Sequence, residues 1–264
     1  MIGEDIVTDD DGSVRFERLH DVAQITFDRP AARNALTEPM YAQLEQWLDR
    51  VSHETGLRVV VLRGAGGSFV AGTDIARFTA FRSGDDGARY EARIDDIIGR
   101  LEALAVPTIA VVEGPAAGAG LLLAAACDLR LCTPDARFGA PIARTVGNTL
   151  SIANTARLLG HFGIARTKRL LIAAELLTAE EAHAAGFVLA IVPRAELDAR
   201  LDALCERITS HAPLTMASTK EAIRRLSADV PDGDDLIRRV YDSDDFREGV
   251  AAFLAKRPPQ WTGR

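Results

Sequence analysis

The sequence predicts an α/β fold, and three observations carry that reading. Short continuous apolar runs, Val59-Val-Val-Leu62 and Thr108-Ile-Ala-Val-Val112, have the length of buried strands rather than helices. Each is followed by glycine, in Gly64-Ala-Gly-Gly67 and Gly114-Pro115. Segments with helical spacing alternate with these runs, which is the pattern of an α/β layer structure.

The elements follow in order. Residues 1–10 are polar and expected to fray. Residues 13–19 and 22–27 alternate apolar and polar side chains and form a strand pair turning at His20-Asp21. Residues 28–34 form a loop. From Glu38 to about Thr55 the apolar residues Met40, Tyr41, Leu44, Trp47, Leu48 and Val51 recur at helical spacing. Residues 59–62 and 108–112 are buried strands, 121–127 an apolar helix and 129–132 a third strand. Beyond about Ser151 the pattern is mostly helical. Thr178-Ala-Glu-Glu181 has the form of a capping box opening a short helix that stops at Gly186, and residues 187–192 read as a strand. The remainder, from Arg194 to about Lys256, is amphipathic helix. The expected organisation is an α/β core over residues 12–195 and a helical C-terminal region over 196–264.

Composition excludes several classes. With 264 residues, 47% of them hydrophobic and 26% charged, the chain can bury a core without disulfides or metals. Its net charge of −7 provides no electrostatic footprint for nucleic acid. The longest apolar stretch, residues 110–127, is broken by Glu113, Gly114 and Pro115 and is a poor membrane span. The acidic start, Met1-Ile-Gly-Glu-Asp, lacks the basic and apolar regions of a secretion signal. The three cysteines have no metal-ligand spacing and suit a reducing cytosol, so the expected location is cytoplasmic, with no metal.

Two segments can hold chemistry. In Ser68-Phe-Val-Ala-Gly-Thr-Asp-Ile75, Gly72 permits a tight turn and Asp74 can cap a short helix, leaving N–H groups around Thr73 without partners. In Glu113-Gly-Pro-Ala-Ala-Gly-Ala-Gly120, the first-turn N–H groups near Ala119 lie at the positive end of a helix dipole. Two such donors converging on one oxygen make an oxyanion hole. Glycine-rich strand-to-helix turns also occur wherever the geometry demands them, so spacing alone leaves both readings open. Neither segment has the spacing of a P-loop or a full dinucleotide fingerprint.

The residues resemble a family. Asp28-Arg-Pro-Ala-Ala-Arg-Asn-Ala-Leu36, Phe69-Val-Ala-Gly-Thr-Asp-Ile75, Ala116-Ala-Gly-Ala-Gly120 and Ala124-Ala-Ala-Cys-Asp-Leu129 are similar to successive motifs of the crotonase superfamily, the enoyl-CoA hydratase/isomerase family. Ala136-Arg-Phe-Gly139, Leu177-Thr-Ala-Glu-Glu-Ala182, Ala185-Gly-Phe-Val188 and the tail Asp245-Phe-Arg-Glu-Gly-Val250 with Phe253-Leu-Ala-Lys-Arg257 continue the resemblance. It implies a crotonase-type spiral of ββα units, a C-terminal helical trimerisation region, and a trimer or dimer of trimers. It implies a coenzyme A thioester substrate with no separate cofactor; the acidic charge balance and the broken apolar stretch argue against nucleic acid and membrane as partners. Carried over by position, the carbonyl donors fall on Thr73 and Ala119. Arg33 and Ala35 fall where the family holds the phosphates and adenine of the coenzyme, and Ala71 and Ile75 beside the adenine and pantetheine path. Phe253 and Lys256 fall where a neighbouring subunit often meets the nucleotide end.

The chain departs from the family at the two glutamates that hydratases use to add or remove water. The first belongs three residues after the central donor, where this chain has Leu122. The second belongs after Pro141, at Ile142, or at Ala143 if the alignment shifts by one. Neither Leu nor Ile nor Ala can transfer a proton, so two-carboxylate hydration is unsupported. A displaced acid or base could sit at Arg144, Thr145, Asn148 or Ser151, or on the covering segment at Arg82, Tyr90, Glu91 or Asp95. The alternatives are a reaction that needs only a polarised thioester, such as isomerisation or decarboxylation, and a catalytically silent acyl-CoA-binding protein. The five histidines read as surface or helix-end residues, and Phe78, Phe81 and Tyr90 as either an acyl lid or a packed helix face.

Overall fold

The computed structural model describes residues 11–211, 213–227 and 234–260. The N-terminal segment expected to fray lies outside the described residues. Strands β1 (Ser13–Leu19) and β2 (Val22–Asp28) form the expected antiparallel pair, with His20 in the left-handed region at the turn. Helix α1 (Glu38–His53) begins where the Thr37 hydroxyl accepts from the Met40 N–H. Strands β3 (Val59–Gly64), β4 (Thr108–Val112), β6 (Leu129–Cys132) and β9 (Ala190–Ile191) then add in parallel, giving a six-stranded sheet in the order β1-β2-β3-β4-β6-β9.

Both faces of this sheet are covered, which is why β3 and β4 read as unbroken apolar runs. Side chains alternate across a strand. Val60, Leu62, Ala110 and Val112 therefore enter the main core, while Val59, Val61, Ile109 and Val111 enter a second one. Helix α7 (Leu197–Thr209) fills that second core with Leu197, Leu201, Leu204 and Ile208. A smaller sheet, β5-β7-β8, joins β5 (Pro115–Ala117), β7 (Arg137–Gly139) and β8 (Leu177–Thr178). Between β5 and β6 runs α3 (Ala119–Ala126), every residue of which is buried.

The expected strand over residues 187–192 pairs only at 190–191. Upstream, the Phe187 and Val188 N–H groups both turn back to Ala182 O, closing the C-terminus of α6 (Ala179–Ala184), and Gly186 sits at φ +76°. Those donors are lost to the strand ladder. The capping box does form, Thr178 Oγ1 accepting from the Glu181 N–H and the Glu181 carboxylate from the Thr178 N–H.

The remaining helices build one wall of the interior. After the single turn α4 (Ile142–Thr145), α5 (Ile152–Leu171) is tied to α2 (Gly84–Glu102) by Asn154 Nδ2 donating to Asp95 at 2.7 Å and Arg157 donating to Glu102, and α9 (Asp234–Tyr241) lies along α2. The contact depends on Gly87: a Cβ there would stand 1.9 Å from Cγ of Tyr241. Helix α10 (Asp244–Leu254) adds Phe246 to an aromatic cluster with Phe78, Phe81, Tyr90 and Tyr241. Helix α8 (Pro213–Ser227) is anchored through Lys220, which donates to Val106 O at 3.1 Å and pairs with Asp128. Among the described residues no helix is long and apolar enough to cross a membrane.

Candidate active site

The first glycine turn is held on both sides. On one side, the Leu36 N–H donates to Gly72 O and the Asp74 N–H to Leu36 O, each at 2.8 Å. On the other, the Ala117 N–H donates to Val70 O at 3.1 Å. In a parallel bridge of this kind the central residue turns its own N–H and C=O away from the partner strand. The Thr73 N–H therefore faces away from Leu36, and it has no hydrogen-bond acceptor among the described residues. Asp74 is the cap expected from the sequence: its carboxylate accepts from the Ala76 N–H at 2.9 Å and pairs with Arg29 at 2.7 Å.

The second turn starts α3. Gly118, at φ 52°, donates to Gly139 O at 2.9 Å, and its own carbonyl accepts from the Leu122 N–H at 3.2 Å. The Ala119 N–H precedes that first intrahelical bond and has no acceptor among the described residues. The two turns touch. A Cβ on Gly118 would lie 3.8 Å from Gly72 Cα, and one on Gly120 would lie 2.0 Å from Val70 O. Glycine at 120 is therefore a steric requirement for bringing the helix start against the first turn.

Both turns open on one cavity of about 720 Å³. Arg33, Ala35, Ala71, Thr73, Ile75, Ala119, Phe253 and Lys256 all line it. The chain's own Phe253 and Lys256 thus reach the cavity that the resemblance associates with a neighbouring subunit's contacts. Arg33 and Asn34 both have positive φ, and the buried Asn34 fixes that bend. It accepts from the Arg29 N–H at 2.7 Å and donates to Ala65 O at 2.9 Å and Ser68 O at 2.6 Å.

Leu122 and Ile142 also line the cavity, whereas Ala143 is exposed and Arg144 points to solvent outside it. Of the other acid/base candidates, Tyr90, Glu91, Thr145 and Asn148 line the cavity. Arg82 is exposed, its guanidinium donating to Thr79 O at 2.6 Å. Ser151 and Asp95 form a support behind the wall, the Ser151 hydroxyl donating to Asp95 at 2.7 Å. Phe78 and Tyr90 line the cavity and also pack in the core, so the lid and packing readings describe the same residues.

Two polar chains reach the cavity wall. The Thr73 hydroxyl bridges Tyr41 Oη at 2.6 Å and Tyr90 Oη at 2.7 Å. Burial pushes the Tyr41 phenol up to about 12 and that of Tyr90 well above its ordinary value, so both stay protonated. In the second chain, Asn148 Nδ2 donates to Tyr241 Oη at 3.2 Å, and Tyr241 Oη donates to Glu91 Oε1 at 2.8 Å. The Ser151 N–H donates to Glu91 Oε2 at 3.2 Å.

His161 departs from the surface reading. Its ring is half-buried 5.3 Å from that of Phe187, with Nε2 2.9 Å from Ala125 O, and burial pulls it down to about 4. Tyr241 was not singled out from the sequence at all. Among the described residues no group of three His, Cys, Asp or Glu side chains could hold a metal ion.

An α/β spiral whose two glycine turns face one cavity defines the crotonase fold, and solved structures agree. Methylmalonyl-CoA decarboxylase in complex with 2-nitronate-propionyl-CoA superposes with a TM-score of 0.86 at 28% identity, covering 95% of this chain and 98% of the other. The enoyl-CoA hydratase/isomerase family profile matches residues 17–264, and the chain belongs to that family. A probable enoyl-CoA hydratase of Bacillus subtilis is 32% identical over 92% of this chain and 95% of its own length. The 1,2-epoxyphenylacetyl-CoA isomerase of Escherichia coli is 32% identical, again over 92% of this chain and 95% of its own.

Proposed function

We propose that the protein is an acyl-CoA thioester enzyme that holds the thioester carbonyl oxygen between the N–H groups of Thr73 and Ala119. The observation that carries this reading is the pair of unpartnered backbone donors on two touching turns at one cavity. Donors fixed before substrate arrives stabilise the negative charge of an enolate without reorganising. Arg33 and Lys256 supply positive charge for the phosphates of the coenzyme, while Ala35, Ala71, Ile75 and Phe253 line the path of its adenine and pantetheine.

The reaction is not two-carboxylate hydration. At the positions where that chemistry requires acids the cavity has Leu122 and Ile142, and neither can activate water. A redox-neutral reaction through an enolate, such as a double-bond shift, fits the wall better. Decarboxylation of a malonyl-type thioester passes through the same enolate and is the second reading, since it too needs only the polarised carbonyl. The same reading includes self-association through α8, which exposes Leu214, Ile223 and Leu226.

Mixing the purified protein with crotonyl-CoA tests the reading. The expected result is saturable thioester binding with no loss of the conjugated enoyl absorbance at a hydratase-like rate. Absence of binding overturns the thioester assignment, and rapid hydration overturns the exclusion of water chemistry.

A further inference from the structure

We propose that Glu91, presented from α2, is the acid/base that moves a proton at the acyl chain of the bound thioester, in place of carboxylates at positions 122 and 142. The proposal rests on the thioester reading above and adds the residue that performs the proton transfer.

Glu91 is 2% exposed, yet it lines the same cavity as the Thr73 and Ala119 donors. Its two carboxyl oxygens are held separately, Oε1 by the Tyr241 hydroxyl and Oε2 by the Ser151 N–H. These partners come from α9 and from the residue that caps α5, so the carboxyl is clamped from two elements besides its own helix. Among the described residues it forms no ion pair. A purely structural tie between these elements could be made by a neutral amide at lower desolvation cost. Asn148 adds a second observation: it lines the cavity, and its Oδ1 is buried without a hydrogen-bond partner among the described residues. That acceptor stands in the chain that ends on Glu91.

The groups around the carboxyl fit a proton carrier. Asp95 on the same helix and the phenols of Tyr41, Tyr90 and Tyr241 act on it, and none is a cation. Burial pushes the carboxyl up to about 8, the Tyr241 hydrogen bond works against this, and the Asp95 charge adds to it. A group titrating near neutrality can both take and return a proton.

The step balances without water addition or an oxidant. The Glu91 carboxylate takes a proton from Cα of the thioester. The C–H electron pair forms the enolate double bond, and the carbonyl π pair moves onto the oxygen held by the two N–H groups. In the return step the carbonyl re-forms, and the Glu91 carboxyl gives a proton back to the carbon chain. Return to Cα is simple exchange; return to Cγ of a β,γ-unsaturated chain moves the double bond into conjugation.

Butyryl-CoA in D₂O isolates the first half of this sequence. The protein is expected to exchange the Cα protons for deuterium, read by NMR, with a rate that climbs with pH through an inflection near 8. Glu91→Gln should lower the rate on the order of a hundredfold or more while leaving butyryl-CoA affinity within about twofold. Glu91→Asp, which keeps a carboxyl, should retain an intermediate rate. If wild-type protein fails to bind butyryl-CoA, the thioester reading falls and this proposal falls with it. Binding without exchange, or exchange that persists in Glu91→Gln, overturns the Glu91 assignment alone. Should Glu91→Gln not fold, the wild-type pH profile and Glu91→Asp decide: a rate flat with pH, or a full rate in Glu91→Asp, overturns it.

Discussion

Thr73 has a hydroxyl in a buried hydrogen-bond chain and, in the proposed reading, a backbone N–H that holds the substrate carbonyl; Thr73→Val divides the two. Valine keeps the volume and the backbone N–H but removes the hydroxyl between Tyr41 Oη, at 2.6 Å, and Tyr90 Oη, at 2.7 Å. Both rings are buried, with Tyr41 2% and Tyr90 7% exposed, so Tyr41 in particular has little access to water in place of the lost partner. Stranding a buried hydroxyl costs about 1–3 kcal/mol. The two phenols can still share one hydrogen bond with each other, which limits the loss to about 2 kcal/mol. Urea unfolding of wild type and variant measures that loss, and butyryl-CoA titration measures whether the oxyanion donor survives. The expected result is lower stability with thioester affinity within about twofold. A further variant sharpens the test: adding Tyr41→Phe and Tyr90→Phe removes all three hydroxyls, which should recover part of the stability because no polar group is left stranded. Unchanged stability in Thr73→Val would refute the hydroxyl chain. Unchanged stability with a large loss of affinity would show that the side chain, not the backbone, holds the substrate.

Other outcomes follow from the same geometry. Ala119→Pro deletes the second donor at the first position of α3, where proline is tolerated, and should cost about 3 kcal/mol of enolate stabilisation, roughly a hundredfold in the butyryl-CoA exchange rate; an unchanged rate in a folded variant would remove Ala119 from the hole. Glu91 makes stability depend on pH: its folded pKa of about 8 lies above the ordinary 4.5, so the folded state holds the extra proton between those values. Its contribution is therefore present below pH 4.5 and lost as pH rises through 8, and wild type should lose on the order of 5 kcal/mol relative to Glu91→Gln across that window; parallel profiles in urea titrations at both pH values would contradict it. Gly87→Ala places a methyl 1.9 Å from Cγ of Tyr241, near the stiff base of that side chain, and should destabilise by about 1–3 kcal/mol while loosening the clamp on Glu91. Light scattering should give a mass several times the 28.4 kDa chain, and a stable monomer at micromolar concentration would count against association through α8.

The local features of this protein were legible because local chemistry causes them. The runs at 59–62 and 108–112 are buried strands since only a two-sided burial makes unbroken apolar segments stable there. The Thr178–Glu181 capping box and the Asp74 cap are short-range hydrogen bonds between residues two or three apart, and they form as expected. The eight residues singled out from motif order do line one cavity: six lie on the glycine turns and the bend at 33–35, where a chain leaving a buried strand has few places to go, and Phe253 and Lys256 reach it from the end of α10. Where neighbouring segments compete for the same donors, local reading fails: residues 187–188 give their N–H groups to the end of α6 and leave β9 two residues long.

The sequence by itself determined the α/β class, the two glycine turns and the absence of carboxylates at 122 and 142. It left Glu91 as one of eight displaced candidates, with nothing in its neighbours to distinguish it. Only the tertiary structure sets it apart from the others, by bringing Tyr241 to it across 150 residues of chain and the Ser151 N–H across 60. Gly87 illustrates the reason. In a helix sequence it is simply a weak residue, and its purpose exists only once α9 lies against α2 and the Tyr241 ring needs the space a side chain would take. Burial, the property that makes a carboxyl at position 91 unlike the many on the surface, belongs to the packed molecule: the same glutamate in an unfolded chain is an ordinary acid.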